Sequence, residues 1–223
     1  MLIGSKSCAL AGAAALVLLF APFASARQAK EAPPAKSVRV AVLPLVNESG
    51  DFGAPKILED VLKGQFKEFD PKRATFLMPP DVERILEAHN ALDRAYAITE
   101  RWAKSGTLDS TAVGGLDSLL QVDAILCVKV NEWENHIVNQ IGAGESSTTI
   151  ALAFTLFDIK SMKKAWHKEP REQRFAKEID ASSGAVNYDE TGVIQTRSVI
   201  SPPRYQDVAA DLVRTAFKKF PQK

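Results

Sequence analysis

Apolar positions change their period several times along the chain, and each change marks an element. In Val38–Leu45 both side-chain parities are apolar except at Arg39, which predicts a strand covered on both faces. Pro44 falls near its end, where a missing N–H is tolerated. Over Lys56–Phe69 the period lengthens. Ile57, Leu58, Val61, Leu62, Phe66 and Phe69 form one stripe, the pattern of an amphipathic helix. The short apolar run "ATFLM" at 74–78 predicts a second strand. "PPDVERILEAHN" then opens a helix with Pro80 and Asp81, both suited to a first turn. Val82, Ile85, Leu86 and His89 line one of its faces, and Asn90 can stop it.

A helix over about 92–104 carries Leu92, Ala95, Tyr96, Thr99 and Trp102 and ends before Gly106, and a shorter helix is expected over about 110–120. Asp123–Trp133 begins as a solid apolar run and then alternates, as in a strand buried at one end and half-exposed at the other. "TTIALAFTLFD" at 148–158 has the strongest strand character, being rich in β-branched and aromatic residues. A turn at 159–163 leads into "KAWHKE", so three strands in succession read as an antiparallel meander. Residues 169–203 are polar and hold Gly184, Gly192, Pro202 and Pro203. A long loop is expected there, with a minor hairpin around Val186–Ile200. Arg204–Phe220 returns to helical period, with Tyr205, Val208, Ala209, Leu212, Val213, Ala216, Phe217 and Phe220 on one face.

This order predicts an α/β (α+β) fold with a single mixed sheet. An N-terminal strand–helix–strand part should be parallel and the C-terminal meander antiparallel. Helices pack on the sheet, and a C-terminal helix closes it.

The first residues alter what counts as structure. Met1–Ala26 has a basic start at Lys6, an apolar run broken by Pro22, and "ASA" before Arg27. That is the pattern of a cleaved export signal, with cleavage expected after Ala26. The apolar run is short for a membrane span of roughly 20 residues. Cys8 follows "SKS" with no apolar run before it, so no lipid anchor is expected. Residues 27–37 read as a flexible Pro-, Ala- and Lys-rich linker, and 38–223 as one domain. With Lys6 removed, the 28 basic residues fall to 27 and balance the 27 acidic ones. That balance recommends neither nucleic acid nor an anionic lipid surface. Cys127 is the one cysteine outside the signal, so no internal disulfide can form. About 190 residues can bury a sufficient core without one.

Three motifs in order resemble the bacterial envelope domains related to the TolB N-terminal domain and to CsgG, the curli secretion channel. They are "VAVLPLVNESGD" at the start, "VDAILCVKVNEWE", and the hairpin "FTLFDIKSMKKAWHKE". Together they span roughly 38–220. The chain departs from that pattern in the Lys163-Lys164-Ala run before Trp166 and in lacking a lipobox. The resemblance implies an envelope protein of assembly or scaffold type. It carries over no catalytic residues.

The polar stretch after the first strand is the first candidate site. Asn47 and Ser49 can bond to backbone groups, Gly50 can take positive φ, and Asp51 favours a helix start. An anion site there would lack Lys or Arg in the loop and Walker spacing after it. "GAGESS" at 142–147 lacks the Gly-Lys-Ser/Thr ending of a phosphate loop, so a hairpin tip is expected. His89, His136 and His167 form no paired metal motif, although Glu132 and Glu134 lie near His136 in sequence. No Gly-x-Ser-x-Gly elbow is present, and Cys127 lies within an apolar strand as an inert small hydrophobe. Trp133 and Trp166 are expected at one end of the meander, as core caps or as partner anchors. Membrane hairpins of a curli-type channel need strands of about 9–11 residues. The 134–147 connection is too short for two of them, and 169–203 lacks an aromatic girdle.

The reading that results is an exported, periplasmic, non-enzymatic envelope protein that binds other proteins as a scaffold or an assembly or secretion accessory. It needs no cofactor and no metal, and a homo-oligomer is one form it could take. Its expected contacts are Asn47, Ser49, Gly50, Asp51, Trp133 and Trp166. Two alternatives stand beside it: a small-ligand or peptidoglycan-fragment binding protein, and a hydrolase with an unrecognised site.

Overall fold

The computed structural model describes residues 37–137, 145–176, 187–188, 194–195 and 201–221. The expected export signal, the lead-in 27–36, residues 142–144 of the expected hairpin tip and most of 177–200 lie outside them.

The first strand, β1 (Val38–Val42), is parallel to β3 (Ala74–Leu77) on one side and to β4 (Ala124–His136) on the other. β5 (Ser147–Asp158) is antiparallel to β4 along its whole length. The sheet has seven strands in the order β3-β1-β4-β5-β6, with β2 (Val46–Asn47) beside β4 and β7 (Arg171–Phe175) beside β5. β6 is Lys164–Lys168. It is the mixed sheet that the hydrophobic pattern predicts, parallel first and antiparallel afterwards.

Helices cover both faces. α1 (Ala54–Lys67) and the closing α6 (Tyr205–Phe217) pack on one, here called the front. α2 (Pro79–Ala88), α3 (Leu92–Ser105), α4 (Ser110–Val113) and α5 (Leu116–Leu120) pack on the other, the back. Along β4 and β5 alternate residues serve the two layers. Leu126, Val128, Leu152 and Phe154 face front, while Ile125, Cys127 and Phe157 face back.

Five details differ from the sequence pattern. The expected strand 38–45 breaks at Pro44, whose missing N–H interrupts the ladder. Pairing resumes at Val46 opposite Lys129. The expected helix 110–120 is two short helices, because Gly115 takes φ +84 between them. Tyr96 is exposed, its hydroxyl donating to Glu83 Oε1 at 3.0 Å, and Ile98 holds the buried place on α3. His89 caps the end of α2 in solvent, and Asn90, at φ +54, stops the helix as expected.

The last correction concerns the expected loop 169–203. Residues 171–175 form β7, paired antiparallel with Ser147–Ala151. β5 is long enough to carry β6 on one half of its edge and β7 on the other. "REQRF" showed no apolar alternation because an edge strand can be polar on both sides. Within the expected 186–200 hairpin, β8 (Asn187–Tyr188) and β9 (Ile194–Gln195) pair antiparallel.

Candidate functional site

The corner that follows β2 is held by six hydrogen bonds among its own residues. Asn47 Nδ2 donates to the Asp51 carbonyl at 2.8 Å. Asn47 Oδ1 accepts from the Ser49 amide at 3.2 Å and from the Ser49 hydroxyl at 2.7 Å. Ser49 Oγ in turn accepts from the Asp51 amide at 3.3 Å. Asp51 Oδ1 accepts from the Gly53 and Ala54 amides at 2.7 and 3.1 Å, satisfying donors that the first turn of α1 leaves free. Gly50 stands at φ +80, where a Cβ would meet nothing within 4 Å, so the backbone angle alone explains the glycine.

The corner is also tied to the sheet. The Glu48 amide donates to the Val130 carbonyl at 2.9 Å, and Lys129 Nζ lies 3.0 Å from Glu48 Oε2. The polar groups of Asn47, Ser49 and Asp51 are thus turned onto their own backbone and one another. What the corner presents outward is Phe52, 99% exposed. A residue in this place, just before the cap, often folds back onto the fourth helical residue, here Ile57. At that exposure Phe52 does not. The sequence carried a signal for it: one aromatic among Asn, Glu, Ser, Gly and Asp, off the apolar stripe of α1.

Tyr205, the first residue of α6, lies beside this corner. Burial, followed by the charges of Asp51 and Glu134, raises its phenol above the ordinary value. Its ring stacks on Trp133 with centroids 5.1 Å apart and planes at 19°. Trp133 is 2% exposed, and its indole sits in the front core.

Trp166 lies at the other end of α6, half-buried, 5.1 Å from Phe217 and 5.3 Å from Phe220 between ring centroids. The register explains the separation, because Trp133 is opposite Ile150 of β5 and Trp166 opposite Leu156. The expectation that both rings share one end of the meander is corrected: they pack under the two ends of one helix. Phe66, Phe69, Phe76 and Phe154 extend the Trp166 cluster, and Arg73 lies over the Phe69 ring at 5.1 Å.

The histidines are kept apart. His136 is opposite Ser147 and His167 opposite Thr155, at well-separated points of β5. His167 Nδ1 lies 2.9 Å from Thr155 Oγ1 and 3.1 Å from the Phe154 carbonyl, and Nε2 lies 3.2 Å from Glu169. Among the described residues no three His, Cys, Asp or Glu gather into a metal-binding group. Cys127 is wholly buried, and desolvation pushes its thiol far up. Among the described residues no helix is long and apolar enough to cross a membrane.

No protein-family model matches the chain, and no curated protein matches it. Solved structures do. Lipoprotein GNA1162 from Neisseria meningitidis matches at 16% identity and TM-score 0.41, over 66% of this chain and 89% of that one. The PelC dodecamer from Paraburkholderia phytofirmans matches at 13% identity and TM-score 0.45, over 85% and 91%. The LpoB C-terminal domain from Salmonella enterica matches at 10% identity and TM-score 0.38, over 63% and 85%. None of the three bears the CsgG or TolB name.

Proposed function

We propose that the chain is an exported, periplasmic, non-enzymatic envelope protein that works by binding other proteins, as a scaffold or an assembly or secretion accessory. The observation that carries this reading is the corner at 47–53. Its hydrogen-bonding groups are engaged with one another, which leaves little with which to grip a small polar ligand. The same bonds set the backbone from which a fully exposed phenylalanine projects. Covering such an apolar side chain with a partner removes its surface from water, which favours association. The export pattern at Met1–Ala26 and the envelope-family resemblance of the motifs give its setting. Trp133 and Trp166 act in this reading from beneath, fixing α6 and with it Tyr205 beside the corner.

Envelope cross-linking followed by pull-down tests the proposal, comparing the native chain with Phe52→Ser. The native chain should carry protein partners that the variant loses, with unfolding unchanged. Equal recovery from both, or free monomer from both, overturns the assignment of the corner.

A further inference from the structure

Two small residues of β5, Ala153 and Thr155, face the end of α3, while their neighbours Leu152, Phe154 and Leu156 face front. α3 stops beside them at Gly106, whose φ of +70 lies in the left-handed region. Small side chains on the strand and a glycine at the helix end leave a space between them. That space is a cavity of about 150 Å³ bounded by α3, β4, β5 and β6.

Its lining is of two kinds. Trp102 and Ala103 of α3 and Ala153 of β5 are apolar. The polar part comes from three strands: Lys129 of β4, Thr155 of β5, and Lys164 and His167 of β6, with Glu169 just after β6. Most of these polar groups are engaged. Lys129 Nζ lies 3.0 Å from Glu48, Thr155 Oγ1 lies 2.9 Å from His167 Nδ1, and His167 Nε2 faces Glu169 at 3.2 Å. Lys164 is exposed and forms no ion pair among the described residues. The end of α3 adds a partial negative charge, and Lys104 in its last turn stands against it. One cation without a carboxylate is therefore left at the rim of a partly apolar space.

We infer that this cavity binds a compact organic carboxylate, its charged group at Lys164 and its apolar body against Trp102 and Ala153. An apolar cavity of about 150 Å³ holds a benzene ring, so the volume suits a body of that size. An ammonium and a carboxylate form a charge-assisted hydrogen bond, and the pair attracts more strongly beside apolar walls than in open water. The apolar lining separates such a ligand from a bare oxyanion. Inorganic phosphate could reach Lys164 but would leave Trp102 and Ala153 without an apolar partner. The inference goes beyond the protein-binding reading and does not depend on the corner at 47–53.

Titration of the full chain with benzoate, read by calorimetry and by tryptophan fluorescence, tests the inference. Of the three tryptophans Trp102 lines the cavity, whereas Trp133 and Trp166 pack under α6. Benzoate should bind saturably at one site per chain and shift the fluorescence. Acetate lacks the apolar body and benzamide lacks the charge, so each should bind about tenfold more weakly or worse. Lys164→Gln should weaken benzoate binding by about tenfold, the loss of one hydrogen bond to a charged group. Its unfolding in urea should not change, because the side chain is exposed. Lys160→Gln, on the preceding turn and off this cavity, should bind benzoate like the native chain. No saturable binding of benzoate overturns the inference. So does equal affinity in the native and Lys164→Gln chains, or benzamide that binds as well as benzoate, since either removes the carboxylate from Lys164. Inorganic phosphate that binds as tightly as benzoate overturns it as well, because the apolar lining then contributes nothing.

Discussion

The two faces of β5 are built differently although one strand supplies both. Toward the front it presents Ile150, Leu152, Phe154 and Leu156, and α6 lies over them. Toward the back it presents Thr149, Ala151 and Ala153, each under 9% exposed, with Ala153 lining one cavity together with Trp102 and Ala103 of α3. Long polar side chains from the flanking strands close over these small ones. Glu132 and Arg171 are both opposite Ala151, and they meet across it at 2.9 Å. Over this stretch of β5 the front is therefore stabilised by apolar area, and the back, around Ala151, by small side chains that let charged neighbours meet. Large residues bring in a covering helix, and small ones let the sheet cover itself.

That contrast can be broken from the front with the largest effect. Phe154 is fully buried and packs edge-on to Phe217 at 5.3 Å. Phe154→Ala should cost about 3–5 kcal/mol, read by urea unfolding, because the cavity lies under α6 and cannot collapse. On the back, Ala151→Leu should cost about 1–3 kcal/mol by forcing Glu132 and Arg171 apart. Removing the ion pair itself should matter less, about 0.2–1 kcal/mol in a double-mutant cycle, since both side chains are more than a third exposed. An Ala151→Leu cost equal to the ion-pair coupling would show that packing on the back is loose.

The smallest effect is sought where the front meets the candidate site. The phenol of Tyr205 is raised above its ordinary value of 10.0, so the folded chain holds that proton more tightly than the unfolded one. Its contribution is present below pH 10 and is lost as pH rises through the folded value. Tyr205→Phe should flatten the alkaline end of the stability curve and leave neutral pH nearly unchanged, apart from lost packing.

Most of the fold was legible because periodicity reports burial directly. The stripe of α6 from Val208 to Phe217 is buried as its spacing predicts, and Phe220, just past the helix end where the expected helix would have run on, is buried with it. Asn47, Ser49, Gly50 and Asp51 were legible as a backbone-shaping corner, since their chemistry acts over a few residues. β7 was not legible, because an exposed edge strand has no obligatory apolar side. Nor was the placement of the tryptophans, which depends on which residue of β5 each one faces. Phe52 was present as a residue but not as a feature, because exposure is a property of everything around it.

Local chemistry along the chain was enough to determine where strands and helices form, which turn needs a glycine, and that the sheet is parallel before it is antiparallel. Only the tertiary structure decided the rest: a front sealed by aromatics under α6, an ion pair that meets over Ala151 on the back, and a phenylalanine left exposed on the corner before α1. The reason is range. Propensity and capping act over a few bonds, whereas burial and charge surround are set by residues brought together from far apart in sequence.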